Sequence, residues 1–215
     1  MTFLKHNHVS LRQLSDKTLA FLVSLLLVFV LAAPFAPVTT VLAENTSSNK
    51  SSVTDEPKLT EATTAIVTDA QGNVLWSKNP DQELPMASIT KVMTAIVALD
   101  SGVNLDEPCK ISVPDLEEGS QVAGLTSDDT PTLRQLIMMM LVYSANDAAY
   151  NIAINVSGSQ QAFVDQMNKK AAEIGMTHTQ FQNPHGLDAD GHYSTARDLA
   201  LMGRYAREHY PLIAS

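Results

Sequence analysis

Pro85-Met86-Ala87-Ser88-Ile89-Thr90-Lys91-Val92-Met93-Thr94-Ala95-Ile96-Val97-Ala98-Leu99 is the segment around which the rest of the sequence arranges itself. Pro85 precedes a helix expected over Ala87 to Leu99. Ile89, Val92, Met93, Ile96 and Val97 leave that helix little polar face, which places it at the centre of a fold, covered on all sides. Ser88 and Lys91 are the polar residues that need a reason. They form S-x-x-K at the helix start, and positions three apart share one helix face, so the amine can reach the hydroxyl. A serine hydroxyl is a poor nucleophile until a neighbour removes its proton. A lysine held among apolar groups loses proton affinity and can serve as that base. The helix N-terminus adds backbone N–H groups facing developing negative charge. The spacing alone is weak, since Ser47-Ser48-Asn49-Lys50 has it too, in a polar stretch with no helix to open. For the helix taken by itself, a capping serine and a snorkelling lysine explain the pair as well.

Before this helix, Ala65–Asp69 and Asn73–Ser77 are rich in β-branched and aromatic residues and flank Ala70-Gln71-Gly72, which reads as a hairpin. After it, Gly102 is a plausible helix stop, and residues 103–131 are mixed and acidic. A second apolar helix is expected from about Thr132 to Val142, broken by Ser144-Ala145-Asn146-Asp147 and resuming through Val156. Ser159–Ile174 has amphipathic spacing, and Gln182–Tyr193 is a loop punctuated by Asn-Pro, His-Gly and Asp-Gly. Ser194 or Thr195 caps a last helix reaching about His209, with Asp198 in its first turn. A hairpin followed by helices is an α+β pattern.

Ser144-Ala145-Asn146 is an ordinary turn composition when read alone. Together with S-x-x-K it becomes specific, because S-x-x-K, a later S-x-N-type triplet and K-T-G mark penicillin-interacting serine enzymes. Pro85–Ala95 resembles the active-site helix of the low-molecular-weight D-alanyl-D-alanine carboxypeptidases, serine peptidase family S11. Tyr143-Ser144-Ala145-Asn146-Asp147-Ala148-Ala149 resembles their second motif, with Ala145 where glycine is usual. Asn183–Asp188 and Gly191–Ala200 resemble a further family segment, and the likeness runs in order over about residues 60–210.

The resemblance implies a β-lactamase/transpeptidase-like fold, a helical cluster packed on an antiparallel sheet. It implies Ser88 as nucleophile and Lys91 as its base. Ser144 would relay a proton to the leaving amine, and Asn146 would orient Lys91 and the substrate amide. The implied substrate is a peptidoglycan stem peptide ending in D-Ala-D-Ala, and β-lactams would acylate the same serine. The implied role is in wall synthesis and cell shape, and no cofactor is required. The third motif, K-T-G, has no counterpart in residues 1–215; His178-Thr179-Gln180 lacks the glycine and comes too early. The sheet is therefore expected to be incomplete and the sequence truncated at its C-terminal end, with residues 1–215 alone nearly inactive.

Residues 1–43 read as a cleaved signal peptide: Lys5, Arg12 and Lys17, an apolar run Leu19–Ala33, and Val41-Leu42-Ala43 before Glu44. The competing reading is an uncleaved anchor, although the run is short for a spanning helix and Pro34 and Pro37 interrupt it. Membrane contact is expected only through this segment, and the location is extracytoplasmic. Residues 44–58 have too little apolar content to fold and read as a linker, leaving 59–215 as a partial catalytic domain. The formal net charge of −9 would become −11 after cleavage, and no Lys/Arg cluster is present, so no nucleic acid is expected as a partner. Cys109, the single cysteine, can form no internal disulfide and reads as a buried filler. His185 and His192 match no common zinc spacing and read as loop-structuring residues. Two rival functions are a class A-like β-lactamase, which needs a deacylating glutamate that the Asn183–Asp198 region does not offer, and an inactive wall-binding remnant.

Overall fold

The computed structural model describes residues 60–214. The expected signal peptide and linker lie outside the described residues. Strands β1 (Ala65–Thr68) and β2 (Val74–Lys78) form an antiparallel pair with Ala65 opposite Lys78 and a bulge after Val67. The connecting turn is fixed by Asp69, whose Oδ1 accepts the N–H of Gln71 (2.9 Å) and Asn73 (2.8 Å).

The central helix begins later than its sequence suggests. Ala87–Ile89 is a single 3₁₀ turn, and α1 runs Thr90–Asp100. The reason is Ala87, whose φ of 48° is left-handed and cannot continue a helix. As a result Ile89 is exposed rather than in the core, while Met93, Ala95, Ile96 and Ala98 are wholly enclosed. Helices α2 (Leu133–Tyr143), α3 (Asn146–Ser157), α4 (Gln160–Ile174) and α5 (Ala196–His209) surround α1, and a short α6 (Pro211–Ala214) follows. The helix starts are set chemically. Thr132 and Gln135 form a capping box, Ser159 accepts from Ala162 N–H, and Thr195, not Ser194, accepts from Asp198 N–H. The core unites these helices through Leu136, Met140, Ile152, Phe163, Met167, Phe181 and Met202. Cys109 is buried in it, and burial pushes its thiol pKa up, with Glu107 adding to the shift. Helix α5 lies against β1 and joins the hairpin to the helical cluster.

The break between α2 and α3 is shorter than expected: Asn146 and Asp147 already belong to α3, so only Ser144 and Ala145 separate the two helices. Ser144 makes the reversal in one residue by adopting φ 59° and ψ 30°.

Candidate active site

Ser88 sits on the exposed 3₁₀ turn, and Lys91 is one turn deeper in α1, only 3% exposed. Lys91 Nζ lies 3.0 Å from Ser88 Oγ and donates to the carbonyl of His185 at 2.5 Å. Ser144 comes from the α2–α3 reversal, 56 residues away, and donates its hydroxyl to Ser88 Oγ at 3.1 Å. Ser88 Oγ therefore stands between an amine and a second hydroxyl. Asn146 occupies the first position of α3 and is buried. Among the described residues none hydrogen-bonds its carboxamide, so no hydrogen bond joins Asn146 to Lys91 here.

Burial pushes the Lys91 pKa down from 10.5 to about 8. That shift corresponds to roughly 3 kcal/mol against the charged form. Among the described residues no carboxylate lies within ion-pair distance to oppose it. An amine in this state is neutral over much of the range just above pH 8, with a lone pair available.

The loop Asn183–His192 forms the back wall. Three polar residues of α1 hold it: Thr90 to His192, Lys91 to His185 O, and Thr94 to Pro184 O at 2.6 Å. Gln182 N–H donates to His192 Nδ1 (3.0 Å), which puts the ring hydrogen on Nε2, where it is donated to Thr90 Oγ1 (2.8 Å). His185 Nδ1 accepts Leu187 N–H at 3.2 Å. Burial first, then the Lys91 charge and His192, push its pKa down to about 4. Both histidines thus spend ring nitrogens on shaping the loop.

Gly186 closes this wall against the Ser88 turn. A Cβ there would fall 2.0 Å from Ala87 O and 3.1 Å from Ser88 N, and the φ of +91° disfavours any side chain. Gly186→Ala should therefore displace the Ser88 turn. Penicillin acylation is expected to slow by about 10²-fold, with a lower melting temperature; an unchanged acylation rate would show that the turn is not held by this contact.

Sequence reasoning did not single out Asp147, Asn151 and Asn155, which fasten a loop to α3. At intervals of four along α3, they form one polar stripe that bonds the segment 110–125. That periodicity was available in the sequence. The departure at Ala145 is accommodated because its φ is −67°, allowed for alanine, and its methyl is fully buried.

A serine between a helix-borne lysine and a second serine, on an α+β scaffold of helices against an antiparallel hairpin, is an arrangement that can support acyl transfer through the serine oxygen. Residues 50–213 match the D-alanyl-D-alanine carboxypeptidase family, peptidase S11, and the protein belongs to it. It is 33% identical over 187 residues to D-alanyl-D-alanine carboxypeptidase DacF of Bacillus subtilis, covering 85% of this sequence and 46% of that protein. It is 41% identical over 155 residues to a D-alanyl-D-alanine endopeptidase of Pseudomonas aeruginosa, covering 70% and 48%. Among solved structures, penicillin-binding protein D2 of Listeria monocytogenes in its cefotaxime-bound form matches with a TM-score of 0.65 and 32% identity, over 73% of this sequence and 66% of that one. The fold is thus of the penicillin-binding type. The 215 residues span about half the length of the curated relatives they match.

Proposed function

We propose that Ser88 is the nucleophile of a serine D-alanyl-D-alanine carboxypeptidase that trims peptidoglycan stem peptides outside the cytoplasm. The observation that carries this reading is the placement of Ser88 Oγ between Lys91 Nζ and Ser144 Oγ, at 3.0 and 3.1 Å. A neutral Lys91 has two hydrogens and a lone pair. With one hydrogen on His185 O, its lone pair can face Ser88 and take the hydroxyl proton. Ser88 Oγ then bonds to the carbonyl carbon of the penultimate D-Ala, and the Ser88 backbone N–H supports the oxyanion. The C–N bond breaks as Ser144 passes its proton to the departing terminal D-Ala, and the proton that Lys91 took from Ser88 is returned to the Ser144 oxygen, leaving a neutral amine and a neutral hydroxyl. Water hydrolyses the resulting ester, freeing Ser88 and a carboxylate. Asn146, at the head of α3, would orient the substrate amide. A β-lactam ring presents the same carbonyl and would stop at the ester. Residues 1–43 act as the export signal, and residues 59–215 contribute the nucleophile-bearing part of the domain.

The test uses the full-length protein. Cells are labelled with a fluorescent penicillin, and the labelled envelope protein is recovered and its N-terminus sequenced. The purified protein is then given D-Ala-D-Ala pentapeptides and cross-linked dimers, because one relative is named an endopeptidase. Expected are a start near Glu44, D-Ala release from pentapeptide and a long-lived penicillin adduct. Rapid penicillin turnover without D-Ala release would replace this reading with a β-lactamase, and a start at Met1 would remove the export signal.

A further inference from the structure

Asp147 follows the Ser144–Asn146 triplet and is buried, 3% exposed. Its carboxylate hydrogen-bonds neither Ser88, Lys91 nor Ser144, and among the described residues no cation lies within ion-pair distance of it. Its oxygens collect backbone N–H groups instead. Oδ1 accepts from Ala123 (2.9 Å) and Ala148 (2.9 Å), and Oδ2 from Gly124 (2.9 Å) and Leu125 (3.0 Å). Beside it, Asn146 N–H donates to Gln121 O at 2.8 Å. The irregular segment 121–125 is therefore strapped across the first turn of α3, two residues past the left-handed Ser144.

A left-handed backbone at a residue with a Cβ costs on the order of 1–2 kcal/mol. Such a conformation persists only where its surroundings over-determine it. Ser144 is held from one side by α2, since the N–H groups of Ser144 and Ala145 both reach Met139 O. From the other side it is held by the first turn of α3, and the strap fixes that turn. Asn155 bonds both backbone groups of Lys110 two turns further on, away from Ser144.

We propose that Asp147 is a positioning residue for proton delivery: its carboxylate clamps the 121–125 strap and so fixes the turn that aims Ser144 Oγ at Ser88 Oγ. This rests on the reading of Ser144 as the group that protonates the leaving amine. The chemistry of the leaving group makes it testable. An amine must gain a proton to depart, whereas a thiolate, with a parent thiol pKa near ~8.5, leaves without one. Misplacing Ser144 should therefore slow acylation by an amide far more than by a matched thioester, while general loosening of the fold should slow both alike.

The experiment measures acylation of the full-length protein by matched acyl-D-Ala-D-Ala and acyl-D-Ala thioester substrates. Asp147→Asn keeps the volume but points an NH₂ group at N–H donors. It is expected to lower amide acylation about 10-fold or more, with a thioester rate close to wild type. Ser144→Ala should shift the amide-to-thioester ratio the same way, and adding Asp147→Asn to it should shift the ratio no further. Asn155→Ala should leave the ratio at the wild-type value. If Asp147→Asn does not fold, Gly124→Ala is read instead. Gly124 has φ +77° and open space around a Cβ, so that change strains only the strap and should move the ratio in the same direction. Equal slowing of both substrates by Asp147→Asn, with Ser144→Ala lowering the ratio, overturns the positioning role alone. An unchanged ratio in Ser144→Ala overturns the relay reading and this inference with it.

Discussion

Ser88→Ala is expected to abolish covalent labelling by a fluorescent penicillin and to reduce D-Ala release to background. Among the described residues no other hydroxyl is equivalent to it. Ser88 is exposed to an incoming acyl group and has the Lys91 amine at 3.0 Å. The only other described hydroxyl bonded to Ser88 Oγ is that of Ser144, which reaches the amine only through Ser88. The substitution removes one oxygen from an exposed turn, so the melting temperature should stay close to that of the wild type. Peptide mapping of the labelled wild-type protein should recover the adduct on the Met86–Lys91 stretch. A label that survives in Ser88→Ala would remove Ser88 as the nucleophile, whatever the family.

Lys91→Ala is expected to slow acylation by at least about 10²-fold, the usual contribution of a positioned base. The wild-type rate is expected to rise with pH through about 8, because burial lowers the Lys91 pKa to that value and only the neutral amine has a lone pair. The sign is fixed by the charge: below about 8 the amine is protonated and cannot accept, and above it the neutral form accumulates. Lys91→Arg separates base from scaffold. A guanidinium can still donate to the His185 carbonyl but does not deprotonate in this range, so it should be as slow as alanine. A pH rise through about 8 that persists in either variant would assign that titration to another group.

The secondary structure was legible where local chemistry acts alone. The hairpin is set by Asp69 and its turn, and the starts of α2, α4 and α5 by Thr132, Ser159 and Thr195, all within a few residues. The start of α1 was not, because the left-handed Ala87 packs against Gly186, 99 positions later, and no local propensity reports it. The pairing of Ser88 with Lys91 follows from helical spacing. That of Ser88 with Ser144 came from resemblance, since nothing local ties residues 56 apart. The partner of Lys91 was hidden for a different reason. It is a backbone carbonyl, that of His185, and every residue has one.

That carbonyl has a consequence for how the protein matures. Residues 94 apart must meet before Lys91 has its partner, 90 apart before Thr94 has its own, and 102 apart before Thr90 meets His192. Closing loops of this size is entropically costly and belongs late in folding. A newly made polypeptide that has formed α1 already carries Lys91 two residues into it, but with the Ser88 turn not yet held by Gly186 and an amine free to swing and wet enough to stay protonated. Reactivity towards a β-lactam would therefore emerge only on completion of the 183–192 wall, making covalent labelling a reporter of finished folding rather than of mere synthesis.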